Sequence, residues 1–280
     1  TSRARNTACS VMTGLGGVRN PGFVCGMHRE AICLAAAGIK ERVEISGANS
    51  ARATRLAQEL VSEGVDSLIS FGLAGGLDPR VGTGAVILPE RVVAWHGPMP
   101  KSEHRSFGQS LKELSRGTAS NVFQEDAVKE ANESADMFIA DLDMRSRLLE
   151  VLGNKVLGGT ILGVDQVVRN PSEKLCLFAD TEAMACDMES YAVAKEACAA
   201  GIPFIVLRIV SDPSHRTLPD AALAGMTEEG SVSRAAIIRE AVLRPWEIFD
   251  LLALALDARV AFGALRRVAL RGAPLLGAVR

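Results

Sequence analysis

The chain lacks the features that usually place a protein at a glance. Its formal net charge is only −2 over 280 residues, so no excess of one sign favours a nucleic acid or an acidic partner. Uncharged runs such as 67–77 and 197–207 fall far short of the ~20 residues that a membrane-spanning helix needs. Residues 1–20 carry Arg3, Arg5 and Arg19 but no sustained apolar block, so no secretory signal is expected. The six cysteines, at 9, 25, 33, 176, 186 and 198, show no C-x-x-C and no metal-ligand spacing. Reduced thiols serving as small apolar residues in a cytoplasmic protein are the expectation. His28, His96, His104 and His215 form neither H-x-x-x-H nor H-E-x-x-H, which argues against a metal site. G-x-G-x-x-G is missing, and so is a phosphate loop ending in Gly-Lys-Ser/Thr; a dinucleotide-dependent dehydrogenase is therefore remote.

What is present is an ordinary globular composition, 48% apolar and 23% charged, of a length that suits one large α/β domain. Short β-branched runs alternate with helical patterns, which predicts a mixed, mostly parallel twisted sheet flanked by helices. Strands are expected at 22–26, 43–47, 65–72, 85–88 and 91–95, at 155–168 as a glycine-interrupted run, and at 204–210. Helices are expected at 29–37, 50–63, 142–152 and 189–200, and over 231–243 and 246–267 with a break at Pro245. Residues 98–135 are polar and weakly patterned, so loops and one poorly defined strand are expected there. The expected organisation is an N-terminal extension at 1–21, a single domain at 22–257 and a basic amphipathic tail at 258–280.

Ligands of open α/β sheets sit outside the carboxyl ends of the strands, and the unusual polar residues of this chain gather at such ends. Glu30 follows strand 22–26; Gly72, Ala74 and Gly75 follow the buried run that starts at 65; Glu189 opens the helix after a short apolar stretch; Asp212 follows strand 204–210. Each has an ordinary alternative. An acid in a first helical turn merely suits the macrodipole, "GLAGG" reads equally as a tight turn, and "SDPS" is common turn chemistry.

Together the segments "MHREA" (27–31), "SGAN" (46–49), "FGLAGGLDP" (71–79), "DMES" (187–190) and "IVSD" (209–212) resemble the nucleoside phosphorylase/methylthioadenosine nucleosidase superfamily. The resemblance spans about 22–255. Within it, "SDPSHRTLPDAA" and "ALDARVAFGALRR" look like the hopanoid-associated phosphorylase branch. The resemblance implies a nucleoside phosphorylase-like fold and cleavage of the N-glycosidic bond of a 5′-modified adenosine, with adenosylhopane as the expected substrate and adenine released. The alternatives are a methylthioadenosine or S-adenosylhomocysteine nucleosidase using water, and a non-catalytic nucleoside-binding module.

By the same resemblance Asp212 matches the acid that protonates the purine at N7. Such a carboxyl needs a dry pocket to keep a proton near neutrality, and the run "IPFIVL" is expected to supply an apolar wall. Glu189 matches the acceptor of the ribose 2′- and 3′-hydroxyls, Met188 the residue under the sugar, and Arg208 the arginine that orients Glu189. Glu30 matches the acid that activates water, and Ser211 belongs to the segment that binds the substrate. Ala74 and Gly75 match the loop backbone beside the nucleoside, and Val168 the backbone that reads the adenine edge. No cofactor is implied, although inorganic phosphate remains open as co-substrate, with Arg29 and Arg52 near helix starts as its candidate ligands. The resemblance also implies a homo-oligomer, a dimer in the first instance. In the tail, Arg259, Arg266, Arg267, Arg271 and Arg280 alternate with apolar residues, which allows peripheral contact with an anionic membrane or, equally, a covering helix with solvated arginines.

Overall fold

A computed structural model describes residues 19–40, 42–97, 137–225 and 230–277. The loops and strand expected over 98–135 lie outside the described residues. Ten strands form one sheet: β1 (Pro21–Cys25), β2 (Val43–Ile45), β3 (Ser67–Gly76), β4 (Val86–Ile87), β5 (Arg91–Ala94), β6 (Met137–Ile139), β7 (Val156–Leu157), β8 (Thr160–Gly163), β9 (Ala185–Asp187) and β10 (Phe204–Asp212). The helices described are α1 (His28–Ala36), α2 (Ser50–Ser62), α3 (Leu142–Leu152), α4 (Pro171–Thr181), α5 (Ser190–Ala200), α6 (Asp220–Ala224), α7 (Arg234–Leu243) and α8 (Ile248–Gly272).

The sheet is mixed and mostly parallel. Strand β3 is its axis: it pairs in parallel with β1 along its first half, in parallel with β10 from Leu68 to Gly75, and antiparallel with β9 at Gly75 and Gly76. The near-continuous apolar runs of β3 and β10 suit strands covered on both faces. On one face Ala53, Ala57 and Leu60 of α2 and Ala192, Val193 and Ala197 of α5 pack with Leu68, Val206 and Val210. On the other, Leu34, Leu148, Leu265 and Val268 pack with Ile69, Phe71, Leu207 and Ile209.

Local signals hold at several element ends. Asp141 caps α3 by accepting from the backbone N–H of Met144 at 2.8 Å, and Gly201 ends α5 in the left-handed conformation. Three expectations are corrected. "GLAGG" is not a turn: Gly72 to Gly76 continue β3, because β9 and β10 satisfy their backbone groups. The run 155–168 yields two short strands, 156–157 and 160–163, with Gly159 between them at φ +96°. Finally, the boundary expected at 257/258 falls inside the single 25-residue helix α8. Ala261, Ala264, Leu265, Val268 and Ala269 of its second half are buried in the core, so this segment covers the sheet rather than standing free as a tail. Among the described residues no helix is long and apolar enough to cross a membrane.

The two halves of α8 predict opposite responses to truncation. Leu265, fully buried, should cost about 2–5 kcal/mol when changed to Ala. Leu256→Ala, at a position 65% exposed, should stay within about 0.5 kcal/mol. Urea denaturation of both variants measures the contrast.

Candidate active site

The centre of the site is Arg208, on β10 and fully buried. A guanidinium out of water needs partners for its five N–H groups, and neighbouring elements supply them. Its Nε lies 2.5 Å from Asp187 Oδ2 at the end of β9. Nη2 donates to Ser70 Oγ of β3 at 2.6 Å and to Glu189 Oε2 at 3.1 Å. Nη1 donates to the Leu73 carbonyl at 3.2 Å. Ser190, first residue of α5, ties this cluster together: its backbone N–H donates to Asp187 Oδ1 at 3.0 Å, and its hydroxyl donates to Oδ2 of the same residue.

Glu189 stands at the N-cap of α5, and its side chain makes no capping hydrogen bond. Oε1 accepts from Ser46 Oγ at 3.0 Å, which brings the segment after β2 to the site. Burial pushes the Glu189 carboxyl up to about 7, with Arg208 opposing and the negative charges of Asp187 and Glu30 adding to the rise.

Glu30, in the first turn of α1, is buried too. Oε2 accepts from the backbone N–H groups of Gly26 (2.7 Å) and Met27 (2.9 Å), and Oε1 from that of Leu73 (2.7 Å). Burial raises its pKa against the lowering influence of Arg208 and these three N–H groups. The approach of Glu30 and Arg208 explains Gly72: a methyl there would stand 2.6 Å from both Arg208 Nη1 and Glu30 Oε1. Gly26 performs a related service, since a methyl at that position would lie 3.0 Å from Glu189 Oε1.

Asp212 approaches from the end of β10. The β3–β10 register runs Val210 to Ala74 and then Asp212 to Gly75, so Ser211 is an extra residue, and a bulge of this kind re-aims the next side chain. The Asp212 carboxyl lies over Gly75, where an added methyl would be 3.2 Å from Oδ2. Ser211 Oγ donates to Asp212 Oδ1 at 2.6 Å. Beyond Gly75 lies Cys186, whose thiol pKa is raised by burial and then by the charge of Asp212. The run "IPFIVL" is buried over Phe204–Leu207 as expected, and a charged neighbour faces the carboxyl as well. Lys174, with a fully buried side chain, places its ammonium 2.7 Å from Asp212 Oδ2.

The structure therefore brings Glu30, Glu189, Arg208, Ala74, Gly75, Ser211 and Asp212 to one end of adjoining strands β1, β3, β9 and β10. Met188 and Val168 lie beside them in a third apolar cluster with Leu77, Trp95 and Cys186. In that cluster the buried Trp95 Nε1 donor has no hydrogen-bond partner among the described residues. Arg29 is directed elsewhere: its guanidinium lies 4.3 Å from the centroid of the Phe262 ring on α8.

Ser46, Asp187 and Ser190 lie in the segments "SGAN" and "DMES" without an assigned role. Together with Ser70 and Lys174, which sequence alone does not pick out, they complete the polar network. Helix α4, which carries Lys174, has no counterpart among the predicted elements, although two signals announce it. Pro171 occupies its first turn, and Asn170 with Glu173 forms a capping box.

Ligands of open α/β sheets sit outside the carboxyl ends of the strands, and this buried carboxylate–guanidinium network belongs to an α/β protein of that kind. The chain belongs to the phosphorylase superfamily, whose family model matches residues 9–244. It is 27% identical over 176 residues to a 5′-methylthioadenosine/S-adenosylhomocysteine nucleosidase of Staphylococcus saprophyticus, a match covering 61% of this chain and 65% of that protein. A nucleosidase of the same name from Listeria innocua is 27% identical over 154 residues, 53% of this chain and 58% of that protein. The matches thus span about three fifths of these curated relatives. Among solved structures, futalosine hydrolase of Helicobacter pylori aligns over 93% of this chain and 97% of its own, with 16% identity and a TM-score of 0.56. A Neisseria meningitidis 5′-methylthioadenosine/S-adenosylhomocysteine nucleosidase, in complex with methylthio-immucillin-A, aligns over 90% and 98%, with 16% identity and a TM-score of 0.56. These structural likenesses show the shared fold.

Crowding three carboxyls around one guanidinium has a stability consequence with a definite sign. The folded state holds the Glu189 proton up to about pH 7, whereas the unfolded chain sheds it near 4.5. Between those values the unfolded state binds fewer protons, so stability falls as pH rises. Glu189→Gln removes this penalty, for a gain on the order of 1 kcal/mol or more above pH 7. Its melting midpoint should exceed that of the parent by about 2–4 °C at pH 8 and match it at pH 4, as differential scanning calorimetry will record.

Proposed function

We propose that the chain cleaves the N-glycosidic bond of a 5′-modified adenosine, releasing adenine, with water as the attacking group. The observation that carries this reading is the gathering of Glu30, Asp187 and Glu189 around the single cation Arg208. Departure of a purine leaves positive charge on the ribose, and a site with more fixed negative than positive charge stabilises that state. The 27%-identical relatives named as methylthioadenosine/S-adenosylhomocysteine nucleosidases support the choice of substrate class.

In this reading Glu189 accepts hydrogen bonds from the ribose diol through oxygens that Ser46 and Arg208 already orient. Glu30, fixed by three backbone N–H groups, takes a proton from the attacking water. Asp212 protonates the purine N7, Met188 packs under the sugar, and the backbone of Val168 reads the adenine edge. Water fits better than phosphate. An incoming phosphate would meet the carboxyls with Arg208 as their shared counter-charge, and Arg29 is occupied by Phe262. At the 5′ end, the likeness of "SDPSHRTLPDAA" to the hopanoid-associated branch motivates adenosylhopane as a specific substrate to test beside methylthioadenosine.

Adenine release from both nucleosides, followed by liquid chromatography with and without phosphate, tests the proposal. Turnover should be independent of phosphate and yield free ribose products. Strict dependence on phosphate, with a ribose 1-phosphate product, would replace water by phosphate. Tight nucleoside binding without any adenine release would sink the enzymatic reading. For an active chain, Asp212→Asn should lower kcat by 10²–10⁴-fold, the usual scale of proton-transfer assistance. Because Glu189 must be ionised to accept the diol hydrogen bonds and titrates near 7, kcat/KM should fall below that pH towards a tenfold loss per pH unit.

A further inference from the structure

We propose that Lys174 is a positioning residue that works through Asp212, making the leaving-group acid a lysine–aspartate pair. The inference rests on the nucleosidase reading above and adds a residue to it. The Lys174 side chain is fully buried, and its ammonium meets four oxygens. Three are backbone carbonyls of the segment leaving β10: Asp212 at 3.1 Å, Pro213 at 3.3 Å and Arg216 at 3.1 Å. The fourth is Asp212 Oδ2 at 2.7 Å.

Burying an ammonium costs several kcal/mol, and for stability alone a well-packed apolar side chain commonly serves as well as a buried ion pair. What an apolar residue cannot do is fix a carboxyl. Lys174 holds Oδ2 while Ser211 holds Oδ1, so the plane of the Asp212 carboxyl is set from both ends. The same ammonium clamps the carbonyls on either side of the turn at 213–216, so the bulge at Ser211 and the carboxyl it re-aims are held as one unit. Asp212 carries the proton that passes to the purine nitrogen, and the Lys174 ammonium then neutralises the carboxylate left behind. The transfer requires heavy atoms within about 2.6–3.2 Å, which is the control this geometry supplies.

A residue acting through the leaving-group acid should matter in proportion to the leaving group's need for a proton. Lys174→Met is therefore compared with the parent chain on two substrates: a purine nucleoside that the parent cleaves, and 4-nitrophenyl β-D-ribofuranoside, whose phenolate departs without protonation. The expected outcome is a 10²–10⁴-fold lower kcat on the nucleoside, with KM and nitrophenolate release changed by less than about 3-fold. The Lys174→Met/Asp212→Asn double variant should be no slower than Asp212→Asn alone, because residues acting as a unit are not additive. Equal losses on both substrates, or undiminished cleavage of the nucleoside, would overturn the proposal. If circular dichroism shows Lys174→Met to be unfolded, Lys174→Gln, which keeps N–H donors for the carbonyls, supplies the same comparison. Failure of the parent chain on both substrates would instead count against the nucleosidase reading itself.

Discussion

One buried charge organises this molecule. Arg208 lies in the middle of an apolar strand, and an unpaired guanidinium there would be prohibitively costly. Its N–H groups reach the middle of β3, the end of β9 and the start of α5, with Glu30 of α1 close by. Partner and scaffold are therefore the same thing. The side chains that neutralise Arg208 include Glu189, the proposed acceptor of the ribose diol, and Gly72 is bare of a side chain because Arg208 and Glu30 pass directly over it. The excess of acid over base around the guanidinium, which destabilises the fold at neutral pH, is the feature on which the proposed reaction draws.

A second buried cation answers the first. Lys174 stands to Asp212 as Arg208 stands to Glu189, yet the geometries differ. Arg208 offers a planar fork to several elements at once, whereas Lys174 offers a point charge to one short segment of chain. The first suits a hub shared among strands. The second suits the gripping of a single turn and of the carboxyl that begins it.

Much of the architecture was legible in the sequence because it rests on local patterns: apolar runs for the inner strands, and Asp141, Gly153 and Gly201 at helix ends. The candidate site was legible in part, and for a different reason. Single acids at strand ends carry little information, since each suits a helix start or a turn; it was their order along the chain that pointed to a known family. What stayed hidden depended on tertiary partners. Lys174 looks like any helix-surface lysine until the fold lays it beneath Asp212. Ser46, Ser70 and Ser190 are ordinary alone and become necessary only because Arg208 needs acceptors and Glu189 a donor. "GLAGG" reads as a turn until strands on both sides claim its backbone. The segment after 257 reads as amphipathic because one side of α8 is apolar, and that side proves to face the sheet.

The Ser211 bulge and the long pairing of β3 with β10 have an implication for how such a site can change over time. The offset of β10 against β3 fixes Arg208 and Asp212, and a slip of one residue would turn alternate side chains to the opposite face. These polar groups are thus placed as a block. A lineage could exchange loops around the pocket freely, while an apolar substitution inside β3 that disturbed its alignment would dismantle the whole constellation without touching any of its charged members.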